Sequence, residues 1–243
     1  MKAIVVGLGG RGRHWVRVCR DFGSVELVAF VEPAANIKKL AVTELGIAEN
    51  AIYGSLTEAI KAHKADFVID VTPPAVHEAV ALSAFENGLH VLGEKPISSS
   101  VAAARRMIEA SKRAGRRHMI TQNYRFGAVP RTTRRLVKEG IVGKPGQLDV
   151  TFYMPWADLA GSHYVTEPYM FLNDMCIHHF DMMRSILVLL SLILASSAFA
   201  AAQAPKAEPK AEFPQKVLEE AGFTFNGDIV KALQGTVAKA GKA

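Results

Sequence analysis

The sequence contains little cysteine and has no excess of acidic residues. Only two of its 243 residues are cysteines, Cys19 and Cys176, and both lie in segments with helical periodicity. Two thiols in a chain of this length provide no disulfide framework and are typical of a reduced compartment. A short apolar run at the N-terminus gives way at once to glycines, so no targeting signal is expected there. We therefore predict a cytoplasmic location for residues 1–184.

Positive charge exceeds negative charge, with 29 Lys and Arg against 23 Asp and Glu and a net charge of +6. The excess is concentrated between Arg105 and Lys138, where eleven Lys or Arg accompany a single acid, Glu109. A basic stretch of this kind is one form of nucleic-acid surface. This stretch lacks an interleaved aromatic motif, and basic residues on the outer faces of helices are ordinary. We therefore expect no nucleic-acid partner.

The first 32 residues carry the strongest motif in the chain. An apolar run over residues 1–6 ends in a turn with glycines at positions 7, 9 and 12, the G-x-G-x-x-G spacing. Helical periodicity follows over Arg13–Phe22, and a second apolar run over Val25–Val31 ends in Glu32. Strand, tight turn, helix, strand and acid within about 30 residues form the context in which this motif binds a dinucleotide.

Each part of that unit has a physical role in binding NAD. Gly7 permits the turn, Gly9 lets the backbone approach the pyrophosphate, and Gly12 lets helix and strand pack closely. The N–H groups and the dipole at the helix start favour the phosphates. The Glu32 carboxylate is placed to accept both ribose hydroxyls and to repel the extra phosphate of NADP, although Arg11 or Arg13 could soften that repulsion, so NADP stays open. The predicted cofactor-binding residues here are Gly7, Gly9, Gly10, Arg11, Gly12 and Glu32.

Strands and helices continue to alternate as far as residue 122. The predicted helices are Asn36–Leu45, Thr57–His63, His77–Asn87 and Ser100–Ala114, and the predicted strands are Ile52–Gly54, Phe67–Thr72, His90–Leu92 and His118–Thr121. This alternation is typical of an α/β fold with a doubly wound parallel sheet, the Rossmann fold. Because ligands of such sheets bind at the carboxyl ends of the strands, the polar residues that follow each strand are expected to share one crevice.

Residues 123–184 have a different pattern. It predicts a basic helix over Pro130–Glu139, a half-exposed strand over Gln147–Tyr153, an irregular loop over Trp156–Pro168 and a helix over Phe171–Met183. Asp174, His178 and Asp181 fall at i, i+4 and i+7 of that last helix, which places them on one face. Asp174 and His178 would suit a metal ion, but no further ligand cluster accompanies them, so no metal is expected.

Three motifs in order along the chain resemble those of the Gfo/Idh/MocA oxidoreductases. They are Thr72-Pro73-Pro74 with His77, then Glu94-Lys95-Pro96 after a strand, and then the segment from Asp174 to Asp181. The resemblance covers residues 1 to about 184. It implies an NAD(P)-binding Rossmann domain at 1–122 and a truncated α+β substrate domain at 123–184. It also implies hydride transfer between NAD(P) and a small-molecule substrate, a sugar, polyol or related ring alcohol, and intact members usually oligomerise.

The same resemblance assigns roles to single residues. Lys95 matches a lysine beside the substrate hydroxyl and the nicotinamide, Pro96 matches a proline that is commonly cis, and Asp174 with His178 matches a D-x-x-x-H pair. A neutral imidazole can take the hydroxyl proton as the hydride leaves. His77 could instead cap its helix, and Asp181 is expected to be structural. The predicted catalytic residues are Lys95, Asp174 and His178; Tyr124 and Arg125 join them as substrate-binding residues, and Thr72, Pro73, His77, Glu94 and Lys95 as cofactor-binding residues.

The remainder of the chain departs from this family pattern. Residues 185–202 are 18 residues without a charge, about 27 Å long as a helix. With Arg184 before it and Ala198-Phe199-Ala200 within it, the segment has the layout of a secretory signal; a buried helix and a membrane anchor are the alternatives. Residues 203–243 predict a partly disordered linker and short helices.

Three functional hypotheses follow from the two parts of the chain. The first is an NAD(P)-dependent dehydrogenase, and the second is a nucleotide-binding remnant without turnover. The third is a membrane-tethered or secreted chimera in which two unrelated coding segments are joined near Met183.

Overall fold

The structure is a computed structural model that describes residues 1–143, 145–151 and 172–186. The chain divides into two units. Unit 1 comprises Met1–Gln122 with Phe171–Asp174, and unit 2 comprises Asn123–Met170 with Met175–Ala243.

Unit 1 is built of alternating strands and helices. The strands are β1 (Lys2–Val6), β2 (Glu26–Val31), β3 (Ile52–Tyr53), β4 (Phe67–Asp70), β5 (His90–Gly93) and β6 (His118–Ile120). The helices are α1 (Gly10–Phe22), α2 (Ala35–Leu45), α3 (Leu56–Ala62), α4 (His77–Glu86) and α5 (Val101–Arg113), with a 3₁₀ turn at Glu49–Ala51. Every strand and helix that the sequence predicts for residues 1–122 is present, with its ends shifted by at most three residues.

The six strands form one sheet in the order β3-β2-β1-β4-β5-β6. All neighbouring strands are parallel. The predicted doubly wound parallel sheet is therefore confirmed. The strand order reverses between β1 and β4, and in open α/β sheets this switch point opens the crevice in which ligands bind.

The central strand β1 is buried on both of its faces. Ala3 and Val5 pack into an apolar cluster with Val16 of α1, whereas Ile4 and Val6 pack into a second cluster on the other face. Helices that cover both faces of a parallel sheet produce this continuous apolar run. Because β1 is packed on both faces, the position of its C-terminal end in the sheet is fixed. The position of the glycine turn that follows is fixed with it.

Unit 2 begins with a 3₁₀ turn at Asn123–Phe126 and the helix α6 (Ala128–Lys138). A π-helical turn at Leu172–Cys176 precedes an α-helix over residues 177–186, here α7. The helix predicted over 171–183 is present over its described part, where its first turn is π-helical and the rest is α-helical. The wider π turn coincides with a double contact that the Asp174 carbonyl and carboxylate make with one ammonium group.

The strand predicted over residues 147–153 is absent from its described part. Residues 147–151 have no regular structure and are mostly exposed, with a local hydrogen bond of 2.7 Å from Gln147 to Asp149. Alternating polarity predicts which faces a strand would bury, but a strand forms only where a second strand takes up its backbone hydrogen bonds. Residues 152–153, the predicted loop at 156–168, the apolar segment at 187–202 and the tail at 203–243 lie outside the described residues.

No helix within the described ranges combines the length and the apolar character that crossing a bilayer requires. The predicted signal-like or membrane-like segment lies outside this search, apart from its first two residues.

Candidate functional site

The glycine turn after β1 leaves space where a dinucleotide would need it. Gly7 has a φ of +91°, a conformation that favours glycine, and a Cβ there would lie 2.8 Å from the Val71 carbonyl oxygen. A Cβ on Gly12 would lie 2.0 Å from the Gly7 carbonyl oxygen. Around Gly9 and Gly10, in contrast, no heavy atom comes within 4 Å of the Cβ position. The turn is therefore closed on the sheet side and open on the other.

Helix α1 starts directly from this turn. Its N-cap residue is Gly9, and no side chain caps its first turn. The first N–H groups of a helix have no partner within the helix, and with the helix dipole they attract an anion. Glycines at the first positions let a phosphate approach these N–H groups closely. The residues present therefore fit a pyrophosphate.

Glu32, one residue beyond β2, faces the glycine turn. Its Oε2 accepts a hydrogen bond of 2.9 Å from the Leu8 N–H, and its Oε1 accepts one of 2.9 Å from the Ala34 N–H. The residue is only 8% exposed, so these two contacts fix the carboxylate plane. A carboxylate offers about four acceptor positions, and the two that remain suit the pair of hydroxyls on a ribose. The predicted orientation of Glu32 toward the turn is what the structure shows.

The two arginines that could have favoured NADP are engaged elsewhere. Arg13 donates from Nε to Glu44 Oε2 of α2 at 3.0 Å and from an Nη to the Leu8 carbonyl at 3.0 Å. Arg11 donates from Nε to Glu94 Oε1 at 2.8 Å. Each guanidinium is already paired with a carboxylate. Either arginine would have to break that charge-assisted hydrogen bond before it could neutralise a 2′-phosphate beside Glu32.

Glu94 connects the loop after β5 to the first turns of α1. Besides Arg11, the Trp15 indole N–H donates to Glu94 Oε1 at 2.7 Å. Burial would raise the pKa of Glu94, but the hydrogen bonds from Trp15 and Arg11 and the charge of Arg11 hold that pKa below its usual value. The carboxylate is therefore ionised at neutral pH and fastens the loop that carries Lys95 to the phosphate-binding helix.

The loop after β4 is fastened by its own side chains. The Thr72 N–H and hydroxyl both donate to Asp70 Oδ1, at 3.1 and 2.6 Å. His77 is the first residue of α4 and is only 2% exposed. Its Nε2 lies 2.8 Å from the Thr72 carbonyl oxygen and its Nδ1 lies 3.0 Å from the Pro96 carbonyl oxygen. His77 does not cap its helix, because the N-cap residue is Val76 and no side-chain cap is present.

Lys95 follows β5 and forms a charged pair with Asp174. The Lys95–Pro96 peptide bond is cis, as the resemblance implies. Lys95 Nζ donates to the Asp174 carboxylate and, at 3.0 Å, to the Asp174 backbone carbonyl. Both side chains are largely buried. The structure thus brings together two of the three predicted catalytic residues, which lie 79 positions apart in sequence.

The remaining predicted site residues lie in unit 2. The rings of Tyr124 and His178 are stacked, with centroids 4.0 Å apart and an interplanar angle of 7°, and His178 is 4% exposed. Arg125 makes two hydrogen bonds to the Asp181 carboxylate, one of them from Nε at 2.6 Å. Arg184 also reaches Asp181, at 3.3 Å. The stacking fixes the orientation of the imidazole. Asp181 accepts from both arginines, and its structural role stays a prediction.

Sequence reasoning missed two residues of this arrangement. They are Trp15 in α1 and Asp70 at the end of β4, which no motif in the sequence singled out. Indole N–H groups and buried carboxylates require hydrogen-bond partners. The available signals for such partners were a tryptophan near the start of α1 and an acid at the end of a strand. Among the described residues, no three His, Cys, Asp or Glu gather as metal ligands.

Comparison with known proteins shows that the chain is similar to oxidoreductases. Residues 1–122 match a family model, GFO_IDH_MocA, described as an oxidoreductase family with an NAD-binding Rossmann fold. The chain is 32% identical over 189 residues to an inositol 2-dehydrogenase of Leifsonia xyli, covering 73% of this chain and 52% of that protein. It is 26% identical over 184 residues to a D-apiose dehydrogenase of Paraburkholderia graminis, covering 75% of this chain and 48% of that protein.

A solved structure shares the fold over a similar part of the chain. An oxidoreductase from Agrobacterium radiobacter, in complex with NAD+, L-tartaric acid and magnesium, superposes with a TM-score of 0.66 at 21% identity. The match covers 77% of this chain and 54% of that one. The chain thus spans about half the length of the curated relatives it matches.

Proposed function

The chain belongs to the Gfo/Idh/MocA oxidoreductase family, with its NAD-binding Rossmann fold, and from this premise we propose that it is an NAD-dependent dehydrogenase of a sugar, polyol or related ring alcohol. The position of Glu32 is the observation that carries the choice of NAD. Its carboxylate is held beside the glycine turn by two backbone N–H groups and keeps acceptor positions for a ribose diol. A 2′-phosphate at that position would meet a buried negative charge, because Arg11 and Arg13 are paired with other carboxylates.

When bound, NAD would accept a hydride from the carbon that carries the substrate hydroxyl. Gly9 and Gly10 would take the pyrophosphate at the start of α1, and Glu32 would take the ribose. The Lys95 ammonium would then hold the substrate hydroxyl and stabilise negative charge as it develops on that oxygen. Its pairing with Asp174 supports this role, because the contact fixes the ammonium above the strand ends instead of leaving it in solvent.

His178 is the proposed acceptor of the hydroxyl proton. The sequence motif and the family resemblance carry this assignment, and the stacking of its ring on Tyr124 supports a fixed imidazole. A general base of this type contributes roughly 10²- to 10⁴-fold to the rate. Thr72, Pro73 and Arg125 remain predicted ligand contacts. The names of the relatives suggest inositols and D-apiose as the first substrates to try.

Titration of the full chain with NADH and with NADPH, followed by nicotinamide fluorescence, tests the cofactor assignment. We expect Glu32→Gln to reduce the preference for NADH over NADPH by about tenfold or more, because a hydrogen bond to a charged group contributes about 1.5–3 kcal/mol. Glu26→Gln is the matched control, since Glu26 is an exposed acid at the other end of the same strand. Equal ratios in wild type and Glu32→Gln would remove Glu32 from the cofactor site.

A nucleotide-binding remnant without turnover is the second candidate. It rests on one feature of the sequence, that residues 185–243 depart from the family pattern. NADH binding without turnover of myo-inositol or D-apiose would support this reading over the dehydrogenase. The membrane-tethered or secreted chimera remains a third proposal, which sequencing of the transcript across codons 180–190 tests.

A further inference from the structure

The two ring nitrogens of His77 face the same kind of group. Nδ1 is 3.0 Å from the carbonyl oxygen of Pro96, and Nε2 is 2.8 Å from the carbonyl oxygen of Thr72. A carbonyl oxygen only accepts hydrogen bonds, so each nitrogen must donate for both contacts to be favourable. A neutral imidazole carries one donor and one acceptor nitrogen, and only the imidazolium carries two donors. In a ring that is 2% exposed, a bare nitrogen against a carbonyl would have no water to replace the lost bond.

A buried acid is connected to His77 through Thr72, whose N–H and hydroxyl donate to Asp70 and whose carbonyl oxygen lies 2.8 Å from His77 Nε2. Asp70, at the end of β4, is 1% exposed. Burial holds the pKa of Asp70 above its usual value, although the charge of His77 and the hydrogen bonds from Thr72 act in the opposite direction. A cation and an anion that are buried near one another each favour the charged form of the other. Asp70 is therefore the buried acid whose ionised form would balance an imidazolium at His77.

The other ionisable groups around His77 do not compete for this role. Burial lowers the pKa of His118 in β6, and the charge on His77 lowers it further, so His118 is neutral at physiological pH. In the loop after β5, Glu94 is paired with Arg11 and Lys95 with Asp174. On α4 itself, the neighbouring Glu78 is paired with Arg106 of α5.

We propose that His77 is a resident imidazolium that positions the loop after β4 against the loop after β5. One N–H holds the Thr72 carbonyl and the other holds the Pro96 carbonyl, so the ring joins the two loops at the strand ends. His77 then acts through its neighbours. It fixes the backbone position of Thr72 and Pro73 in one loop and of Lys95 in the other. Where the proposed function holds, loss of the ring proton releases one loop and weakens NADH binding.

Nitrogen-15 NMR of the uniformly labelled full chain tests the charge on the ring without any cofactor. Two-bond proton–nitrogen correlations distinguish an imidazolium, with two similar protonated nitrogens, from a neutral ring, which has one bare nitrogen. His90 is the internal control, because its Nδ1 accepts a hydrogen bond of 2.9 Å from the Arg117 N–H and must therefore be bare. At about pH 7.5 we expect two protonated nitrogens for His77 and one bare nitrogen for His90. A bare nitrogen on His77 at that pH would overturn the proposal.

Two variants assign the signal and test its cause. His77→Gln should remove the imidazolium pattern and leave that of His90 in place. Asp70→Asn keeps an oxygen that can accept from the Thr72 N–H and hydroxyl but removes the counter-charge, so the bare-nitrogen signal of His77 should emerge at lower pH, by about one unit or more. It also identifies the His77 signal if His77→Gln does not fold. An unchanged titration in Asp70→Asn would contradict the buried pair.

NADH titration across the same pH range separates this inference from the proposed function. Loss of affinity at the pH at which His77 loses its proton, with a flat profile in His77→Gln, supports the positioning role. An imidazolium pattern in a chain that does not bind NADH at any pH would sink the dehydrogenase proposal and leave the charge on His77 established. A pH-independent affinity in wild type while His77 titrates would refute the positioning role alone.

Discussion

Replacing Gly12 by alanine tests how closely the phosphate-binding turn packs on α1. The added Cβ would lie 2.0 Å from the carbonyl oxygen and 2.8 Å from the carbonyl carbon of Gly7, where ordinary contacts are 3.4–4 Å. Both neighbours are backbone atoms of a turn that is itself fixed, since the Gly7 N–H donates to the Val31 carbonyl at 2.8 Å. No side-chain rotation relieves this overlap, so turn and helix must separate.

The expected cost lies at the upper end of the range for overpacking. Such insertions cost about 1–3 kcal/mol and occasionally more, and we expect about 3 kcal/mol because backbone has to move. For a unit of this size, that corresponds to a fall in Tm of roughly 10 °C. Gly10→Ala is the matched control, because its Cβ would meet no atom within 4 Å. Alanine at this first position of α1 is expected to raise stability by about 0.4–1 kcal/mol.

Thermal unfolding of wild type and both variants, followed by circular dichroism, measures the difference. NADH titration of Gly12→Ala should also show weaker binding, since the displaced turn carries the N–H groups offered to the pyrophosphate. A Tm for Gly12→Ala equal to that of Gly10→Ala would refute the close packing of turn and helix.

Three further predictions concern other parts of unit 1. Ser100→Ala removes the hydroxyl that accepts the Ala103 N–H at 3.2 Å at the start of α5, so urea unfolding should show a loss of about 1 kcal/mol, which Ser100→Asp restores. The pKa of Glu94 is lower in the folded chain than in the unfolded chain. Glu94 therefore stabilises the fold above the unfolded pKa of about 4.3, and this stabilisation is lost as pH falls through the folded pKa. Glu94→Gln should flatten that part of the acid-unfolding curve, and an unchanged curve would contradict a lowered pKa of Glu94. Arg106→Ala breaks an exposed pair with Glu78 and should leave Tm within error at physiological salt; a clear fall would show that the pair is coupled to the core.

Local patterns along the chain were sufficient to predict most of unit 1. The strand at 2–6, the glycine spacing and the acid at position 32 are read from neighbours in sequence, because strand burial, turn conformation and helix start depend on nearby residues. The same reasoning failed at residues 147–151, since a strand depends on a partner that alternation does not provide. It also missed the π turn at Leu172–Cys176, because helical periodicity does not distinguish i+4 from i+5 hydrogen bonding.

Long-range polar pairs were beyond the reach of sequence patterns. Trp15 donates to Glu94 across 79 positions, and Lys95 reaches Asp174 across another 79. Glu94 and Lys95 both follow β5, whereas their partners lie in α1 and in the π turn, so only the folded chain brings each pair together. The partner of Arg125 was also outside the reach of sequence patterns. This residue is predicted to contact substrate, and in the structure its guanidinium donates to Asp181.

The amino-acid sequence by itself determined the doubly wound sheet, the glycine turn and the acid that faces it, because hydrophobic periodicity and backbone freedom are properties of short segments. The polar partners are a property of the folded chain: Arg11 pairs with Glu94, Lys95 pairs with Asp174, and the ring of His77 lies between two carbonyl oxygens. The physical reason is that burial removes water from these groups. Each must then find its partner wherever the fold brings one, however far away it lies along the chain.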